Sequence, residues 1–200
     1  MATGENYPLY LFSGIACFTF FQSSVVRMAS SLIDRRTILS RSPISISVFP
    51  VYILFSEGII FLIYTVFCIS LSYFTFGFHY RILFLLPVMV LIFLFNCGLG
   101  LLLSSVHVIF RDLKEAIVLF MPFLFWLTPV VWTVNKVPFF LQNIAILNPL
   151  SHILGIYRAA LSGMTPDWLS MSYIILLILL IFLLHFFIAM RLGSAIRDSL

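Results

Sequence analysis

Charge is scarce in this chain. Only 9% of its 200 residues are Asp, Glu, Lys or Arg, against about 25% in a soluble domain. Hydrophobic residues make up 62%, and the mean hydropathy is +1.17. So little solvating surface excludes a soluble globular domain, a disordered chain and a coiled coil. Cysteine is also sparse. Cys17, Cys68 and Cys97 lie in separate apolar stretches, odd in number and without metal spacing, which points to free buried thiols and away from a disulfide-stapled module. Lysine occurs only at Lys114 and Lys136, and G-x-x-x-x-G-K-[ST] is absent, so the chain carries no P-loop for ATP. H-E-x-x-H and C-x-x-C are absent too. His79, His107, His152 and His185 are scattered, which suits membrane-edge or packing roles rather than metal ligation.

What the chain has in quantity is long apolar runs. A span needs about 20 apolar residues to cross ~30 Å of hydrocarbon. Five runs meet that need, at 9–32, 51–74, 82–109, 116–134 and 171–190. Backbone in lipid must satisfy its own hydrogen bonds, and the alternation of barrel strands is absent, so the runs are read as helices. The fold class is therefore an all-α, polytopic helical membrane protein forming a single transmembrane domain over 1–200.

Basic residues set the expected orientation. The segments 34–43, 111–115 and 191–200 hold Arg35, Arg36, Arg41, Arg111, Lys114, Arg191 and Arg197, seven of the eleven Lys and Arg. Arg27, near an inner helix end, makes eight; the other side keeps Arg81, Lys136 and Arg158. The positive-inside rule places those three segments in the cytoplasm, the N-terminus outside and the C-terminus inside. The net charge of +4 thus belongs to loops and does not call for nucleic acid. An odd number of spans with an external N-terminus points to a further upstream part, and residues 1–7 lack the basic region of a cleavable signal.

The segment 135–167 is too apolar, and too rich in Pro138, Pro149 and Pro166, for a plain loop. It reads as two short helices dipping into the outer leaflet. Pro149 disfavours helical geometry at Asn148 and sets the break there, and Gly163 ends the second piece.

Few residues invite chemistry. Glu57 is the one acid well inside a span, and intramembrane acids default to functional hypotheses. A proton relay is possible for it, but the pattern offers no second acid or base in another span, so a polar contact to a neighbouring helix or subunit is the plainer reading. Asn96-Cys97-Gly98-Leu99-Gly100 sits mid-span and reads as close helix packing, with pore lining as the lesser alternative. Arg111-Asp112 is either helix capping with charge anchoring or a fixed polar pair at the inner mouth of a pathway. The amphipathic stretch from Asp34 to Arg41 is either a basic loop that sets topology or a docking surface for a cytoplasmic motor.

Three motifs carry a resemblance. "YPLYLFSGIACFTFFQSSVVRMASSLI" presents Tyr-Pro, an apolar run, Ser-Gly and an aromatic-rich helix. "GLGLLLSSVHVIFRDLKEAIVLFMPFLFWLTPVVW" presents a Gly-Leu stretch, Arg-Asp-Leu and a closing Thr-Pro-Val. "LNPLSHILGIYRAALSG" presents Asn-Pro-Leu followed by an Arg. In this order and spacing, covering nearly the whole chain, they resemble the membrane-spanning subunit of ABC type-2 exporters, in the branch that exports O-antigen, capsule and teichoic acid. The chain departs from that family in lacking the interfacial helix and first span usual before Tyr-Pro. Phe18 or Phe20 stands where a Trp is usual, and the region of His185 to Ala189 lacks the usual Gly.

The resemblance implies a homodimer of permeases in the bacterial cytoplasmic membrane, surrounded by membrane lipid. It implies two separate cytoplasmic subunits that bind ATP and Mg, with no cofactor in this chain, and a lipid-linked polysaccharide as substrate. It places Asp34, Arg35, Arg36 and Arg41 in the coupling loop 34–43, Arg111 and Asp112 in a cytoplasmic motif, and Asn148, Pro149 and Arg158 in the outer gate. Aromatic rings stack on the C–H faces of sugars, which makes Phe18, Phe20, Phe21, Trp126 and Trp132 candidates for the path; an interfacial belt is the plainer role for most. Export of a drug or small lipid, a proton-coupled carrier resting on Glu57, and a glycan-assembly enzyme using Arg158, His152 and Asp167 are the competing readings.

Overall fold

The computed structural model describes residues 7–35, 48–134 and 137–199, and among them there is no strand. Seven helices follow in chain order: α1 Tyr7–Asp34, α2 Val48–Phe76, α3 Leu85–Ile109, α4 Leu113–Leu127, α5 Phe139–Leu147, α6 Pro149–Leu161 and α7 Trp168–Ser199. A short 3-10 helix, Tyr80–Phe84, leads into α3, and together they give one apolar run of 30 residues. Four helical stretches are long and apolar enough to cross a membrane: Tyr7–Asp34, Val48–Phe76, Tyr80–Ile109 and Trp168–Arg191. The helix pair α5–α6 makes a fifth if counted as one bent span.

One expected span is shorter than its apolar run. The run over 116–134 predicts a crossing helix, but α4 has 15 residues, or about 22 Å at 1.5 Å per residue. Pro129 is the reason. The residue before a proline is pushed out of helical geometry, and Thr128 sits at φ −96° and ψ 137°. The Thr128 hydroxyl donates back to the Leu124 carbonyl at 2.7 Å and closes the last turn. From Thr128 onward the chain runs as an irregular turn, which becomes the centre of the site below.

Gly77 and Gly163 are the two glycines at positive φ, +73° and +67° among the described residues, and each follows a helix end. At Gly163 the Met164 N–H donates to the Ala159 carbonyl at 2.9 Å, the reach-back of a left-handed helix stop. This is the stop expected from sequence.

α1 is the middle of the bundle, packed between α2 and α3 and touching α4 and α6. Its inward face is aromatic. Phe20 stacks on Phe61 of α2 with centroids 4.6 Å apart, and Phe61 in turn meets the fully buried Tyr157 of α6. Such ring pairs add about 0.5–1.5 kcal/mol beyond area burial. The glycines of α3 serve the close packing expected of them. A Cβ on Gly100 would run into Met28 of α1, and one on Gly98 would sit 3.0 Å from the Ile181 side chain of α7. Two glycines two residues apart therefore seat α3 against two different neighbours. Cys17 and Cys68 are buried and free, and Cys97 is half-buried and free.

Candidate functional site

The helices α5 and α6 meet at 85° across a single residue, Asn148. Asn148 is extended, at φ −79° and ψ 116°, which is where a residue before proline is driven. Its side-chain oxygen accepts from the Leu150 N–H at 3.0 Å, an N-cap for α6, while Pro149 fills the first helical position. Its side-chain nitrogen donates to the Thr128 hydroxyl at 2.8 Å. One buried amide thus starts α6 and ties it to the end of α4.

Nearly three turns along α6 from Asn148, Arg158 gathers what the sequence left apart. Its Nη1 donates to the Pro129 carbonyl at 2.7 Å. Its Nη2 donates to the carbonyls of Tyr10 at 2.9 Å and Val130 at 2.8 Å. Nε reaches the Ser13 hydroxyl at 3.4 Å, and the guanidinium lies 3.5 Å over the Tyr10 ring. The Tyr10 hydroxyl donates to the carbonyls of Trp132 at 2.6 Å and Pro129 at 3.2 Å. Gly14 makes room, because a Cβ there would overlap Arg158 Nη2 and sit 2.8 Å from the Val130 carbonyl oxygen. Ser13-Gly14, Thr128-Pro129-Val130 and Asn148-Pro149…Arg158 are the three motif fragments quoted above, and all three close on this one knot.

The chemistry of the knot is structural. A buried guanidinium is tolerable when its N–H groups are satisfied, and carbonyls plus a ring face do that without a carboxylate. In return it satisfies the carbonyls of a turn that no helix or strand serves. The cavity beside it, lined in part by Leu9, Tyr10, Phe76 and Arg158, holds about 70 Å³. Ligand pockets run to ~300 Å³ and above, and this cavity is well below that size. Arg158 also turns away from the residues that a glycan-assembly enzyme needs. His152 Nδ1 meets the Ser170 hydroxyl at 2.9 Å and its Nε2 meets the Ile146 carbonyl at 2.8 Å. Ser170 in turn donates to Asp167 at 2.8 Å. Hydrogen bonds from Ser170 and Leu169 at the start of α7 hold the Asp167 carboxyl below its usual pKa. Among the described residues no cluster of three His, Cys, Asp or Glu stands ready for a metal.

The remaining predicted residues fall elsewhere. Phe18, Phe20 and Phe21 lie in the core, each 6% exposed or less, against Phe125, Phe61 and Phe95, so in this arrangement they offer no surface to a path. They point inward because α2 and α3 cover the side of α1 that carries Phe20 and Phe21, and α4 covers Phe18. Trp126 is 66% exposed, and the Trp132 indole donates to the Trp126 carbonyl at 3.0 Å beside the knot. Asp34 and Arg35 close α1. The Arg35 guanidinium lies over the rings of Phe49 and Tyr52 of α2, at 5.2 and 5.9 Å. Arg36 and Arg41 lie outside the described residues. Arg111 and Asp112 are both exposed. Asp112 holds the N-cap position of α4, but its side chain makes no capping bond.

Glu57 does have a partner, contrary to the reading of the pattern. Its carboxylate pairs with Arg27 of α1. The sequence places Arg27 near a helix end, whereas α1 continues seven residues beyond it to Asp34, about 10 Å of helix. The two ions therefore meet at one depth of the bundle. Sequence reasoning also passed over Tyr10, Thr128 and Val130; the motif fragments contained them, and only the fold shows why.

Comparison with known proteins bears on the whole arrangement. Residues 2–162 match the model of the ABC-2 type transporter family. Two relatives named O-antigen export system permease protein RfbA, from Klebsiella pneumoniae, are 26% and 24% identical over 174 and 156 residues. Those alignments cover 84% and 76% of this chain and 67% and 60% of the relatives. A protein of the same name from Myxococcus xanthus is 26% identical over 159 residues, 77% of this chain and 60% of its own. The chain spans about two thirds of the length of the curated relatives it matches. The apolar helices, the three motif fragments closed on Arg158 and the family match over most of the length lead to one assignment: this chain is a multi-pass membrane protein and belongs to the ABC-2 type transporter family.

Proposed function

We propose that the chain is the transmembrane subunit of an ATP-driven exporter that carries a lipid-linked polysaccharide of O-antigen, capsule or teichoic-acid type across the bacterial cytoplasmic membrane. The observation that carries the reading is the coincidence of all three export-branch motif fragments at one knot, alongside three relatives whose names all specify O-antigen export. Two permease copies pair, and each meets a cytoplasmic subunit that binds ATP and Mg. The loop 34–43 receives that subunit, with Arg35 held over Phe49 and Tyr52 at its edge. The knot and the bent pair α5–α6 lie at the outer face, and the C-terminus lies inside. The pair acts as the gate, fastened at Asn148 and Arg158.

Co-expression with the neighbouring genes, a pull-down from detergent extract assayed for ATPase activity and an assay for surface glycan test this. A stoichiometric ATPase and a surface glycan that vanishes on deletion of the permease are the expected result. Absence of an ATPase partner removes the proposal. An ATPase partner with export of a drug or small lipid instead of glycan replaces its substrate. Charge reversal at Arg35 and Arg36 is expected to weaken the association, and unchanged association counts against the coupling role of 34–43.

A further inference from the structure

α1 has an open side that differs from the open side of α7. Phe12, Ile15, Thr19, Gln22 and Arg27 are exposed along it, with Ser23 and Val26 half-buried between them. The spacing keeps these residues on one face of the helix. From Thr19 to Arg27 the face is polar for about 12 Å of helix, in the deeper half of a 28-residue apolar helix. The exposed positions of α7 are instead Leu169, Ile175, Leu176, Leu179, Leu183 and Phe187 and others of that kind, the surface that lipid selects.

Two of the polar groups on this face, Thr19 and Gln22, are not spent internally. Ser13, Ser24, Ser30 and Ser31 on the buried side all donate back to α1 carbonyls. Ser23 does so at 3.4 Å, while Thr19 and Gln22 have no hydrogen-bond partner among the described residues. Arg27 is paired to the buried Glu57 but keeps 56% of its side chain exposed. Glu57 fixes one side of the guanidinium and leaves the rest facing outward. An amide, a hydroxyl and a fixed cation turned toward hydrocarbon are costly, and in spans they turn toward protein or a water-filled cavity. A second copy related by a two-fold axis along the membrane normal would bring Arg27 to the depth of its own duplicate. Where Arg27 lies near that axis the two guanidiniums face each other, each offset only by its own Glu57. Of lipid, a second copy and water, water suits the face best, and a covering span from a part upstream of Tyr7 would show as slow labelling in the test below.

We infer that the Thr19–Gln22–Ser23–Arg27 face of α1 is a wetted wall of the conduit, with Gln22 and Arg27 offering hydrogen bonds to a hydroxyl-rich cargo. The inference rests on the exporter reading for the cargo, and on the fold alone for the wetting. An amide and a guanidinium present several donors that sugar hydroxyls and ring oxygens accept in many registers. Such a surface lets a polymer slide because no single geometry is demanded.

The test uses the full permease with its ATPase in membrane vesicles, with Cys17, Cys68 and Cys97 replaced by Ala. Thr19→Cys, Gln22→Cys and Ser23→Cys are labelled with a charged, membrane-impermeant methanethiosulfonate and compared with Leu179→Cys and Leu183→Cys on α7. Labelling at the three stripe positions at least about tenfold faster than on α7 is expected, because water reaches one face and lipid the other. Equal, slow labelling overturns the wall. So does a spontaneous disulfide between two copies at Gln22→Cys, which would make the stripe a seam. Ser23→Cys is nearly isosteric and keeps the test valid if a bulkier change misfolds. For cargo contact, Gln22→Leu is expected to lower glycan export several-fold and Gln22→Asn to restore most of it, while undiminished export in Gln22→Leu overturns the contact. Export that is absent even with the native chain reads on the exporter assignment, while labelling still decides the wall.

Discussion

Two arginines show how differently one side chain is accommodated in the same bundle. Arg158 is enclosed by carbonyl oxygens and the Tyr10 ring, and no carboxylate is among its contacts. Arg27 has a buried carboxylate and stays largely open. Planarity suits the first, because fork-shaped N–H groups can serve several fixed carbonyls at once. A charge partner suits the second, because an open cation in a span needs its field offset while part of it stays available. The lesson is that salt-bridge counting would rank these sites in the wrong order. The arginine without an ion pair is the one on which three chain segments depend.

That ranking is easy to break by substitution. Arg158→Met should have the largest effect. It strands the Val130 carbonyl, worth about 1–3 kcal/mol when buried and unsatisfied, and takes the charged donor from the carbonyls of Pro129 and Tyr10, which keep the Tyr10 and Ser13 hydroxyls. A drop of about 10 °C or more in apparent melting temperature in detergent is expected, and Arg158→Lys should recover only part of it. Gly14→Ala comes next. Its methyl meets Arg158 Nη2 and the Val130 carbonyl, and overpacking of this kind costs about 1–3 kcal/mol; additivity with Arg158→Met would show that the clash is not with the guanidinium. Asn148→Ala removes an N-cap, a loss of about 1 kcal/mol, and frees the Thr128 tie. Limited proteolysis between α5 and α6 should then quicken.

Glu57→Gln should cost less than any of these. Its partner is more than half exposed, so solvent discounts the pair to about 1 kcal/mol or below. Export should continue, and complete loss would revive a proton relay. The smallest effect belongs to Asp167→Asn. The Asp167 carboxyl is held below its usual pKa in the folded state by Ser170. Its contribution is therefore present above the unfolded carboxyl pKa and is lost as pH falls through the lower folded value. Comparison of the native chain with Asp167→Asn between pH 7 and pH 3 should show the two melting curves drawing together only at the acid end.

Local chemistry was legible in the sequence; company was not. Pro149 fixed the bend at Asn148, Gly163 fixed the helix stop, and Gly98 and Gly100 announced close approach, because each of those acts through its own backbone or its missing side chain. The 116–134 run misled because hydropathy does not register Pro129, which ends α4 within an apolar run. Phe18, Phe20 and Phe21 looked available because a Phe on lipid and a Phe in a core have the same composition. Only the sides on which α2, α3 and α4 lie decide between them. Arg27 and Arg158 found partners 30 and 145 positions away in sequence, and no spacing rule reaches that far.

The same separations set an order in time. A ribosome adding about 5–20 residues per second makes Glu57 within seconds of Arg27, so α1 and α2 can join early. Arg158 comes 148 positions after Tyr10, which at that rate is roughly 7 to 30 s later. Throughout that wait the leading end of α1 sits in the membrane with the face of the Tyr10 ring uncovered. Closure of the arginine over that ring is then a late event of biogenesis, and a chain stalled just short of residue 158 would hold its aromatic centre while its first turns stayed loose.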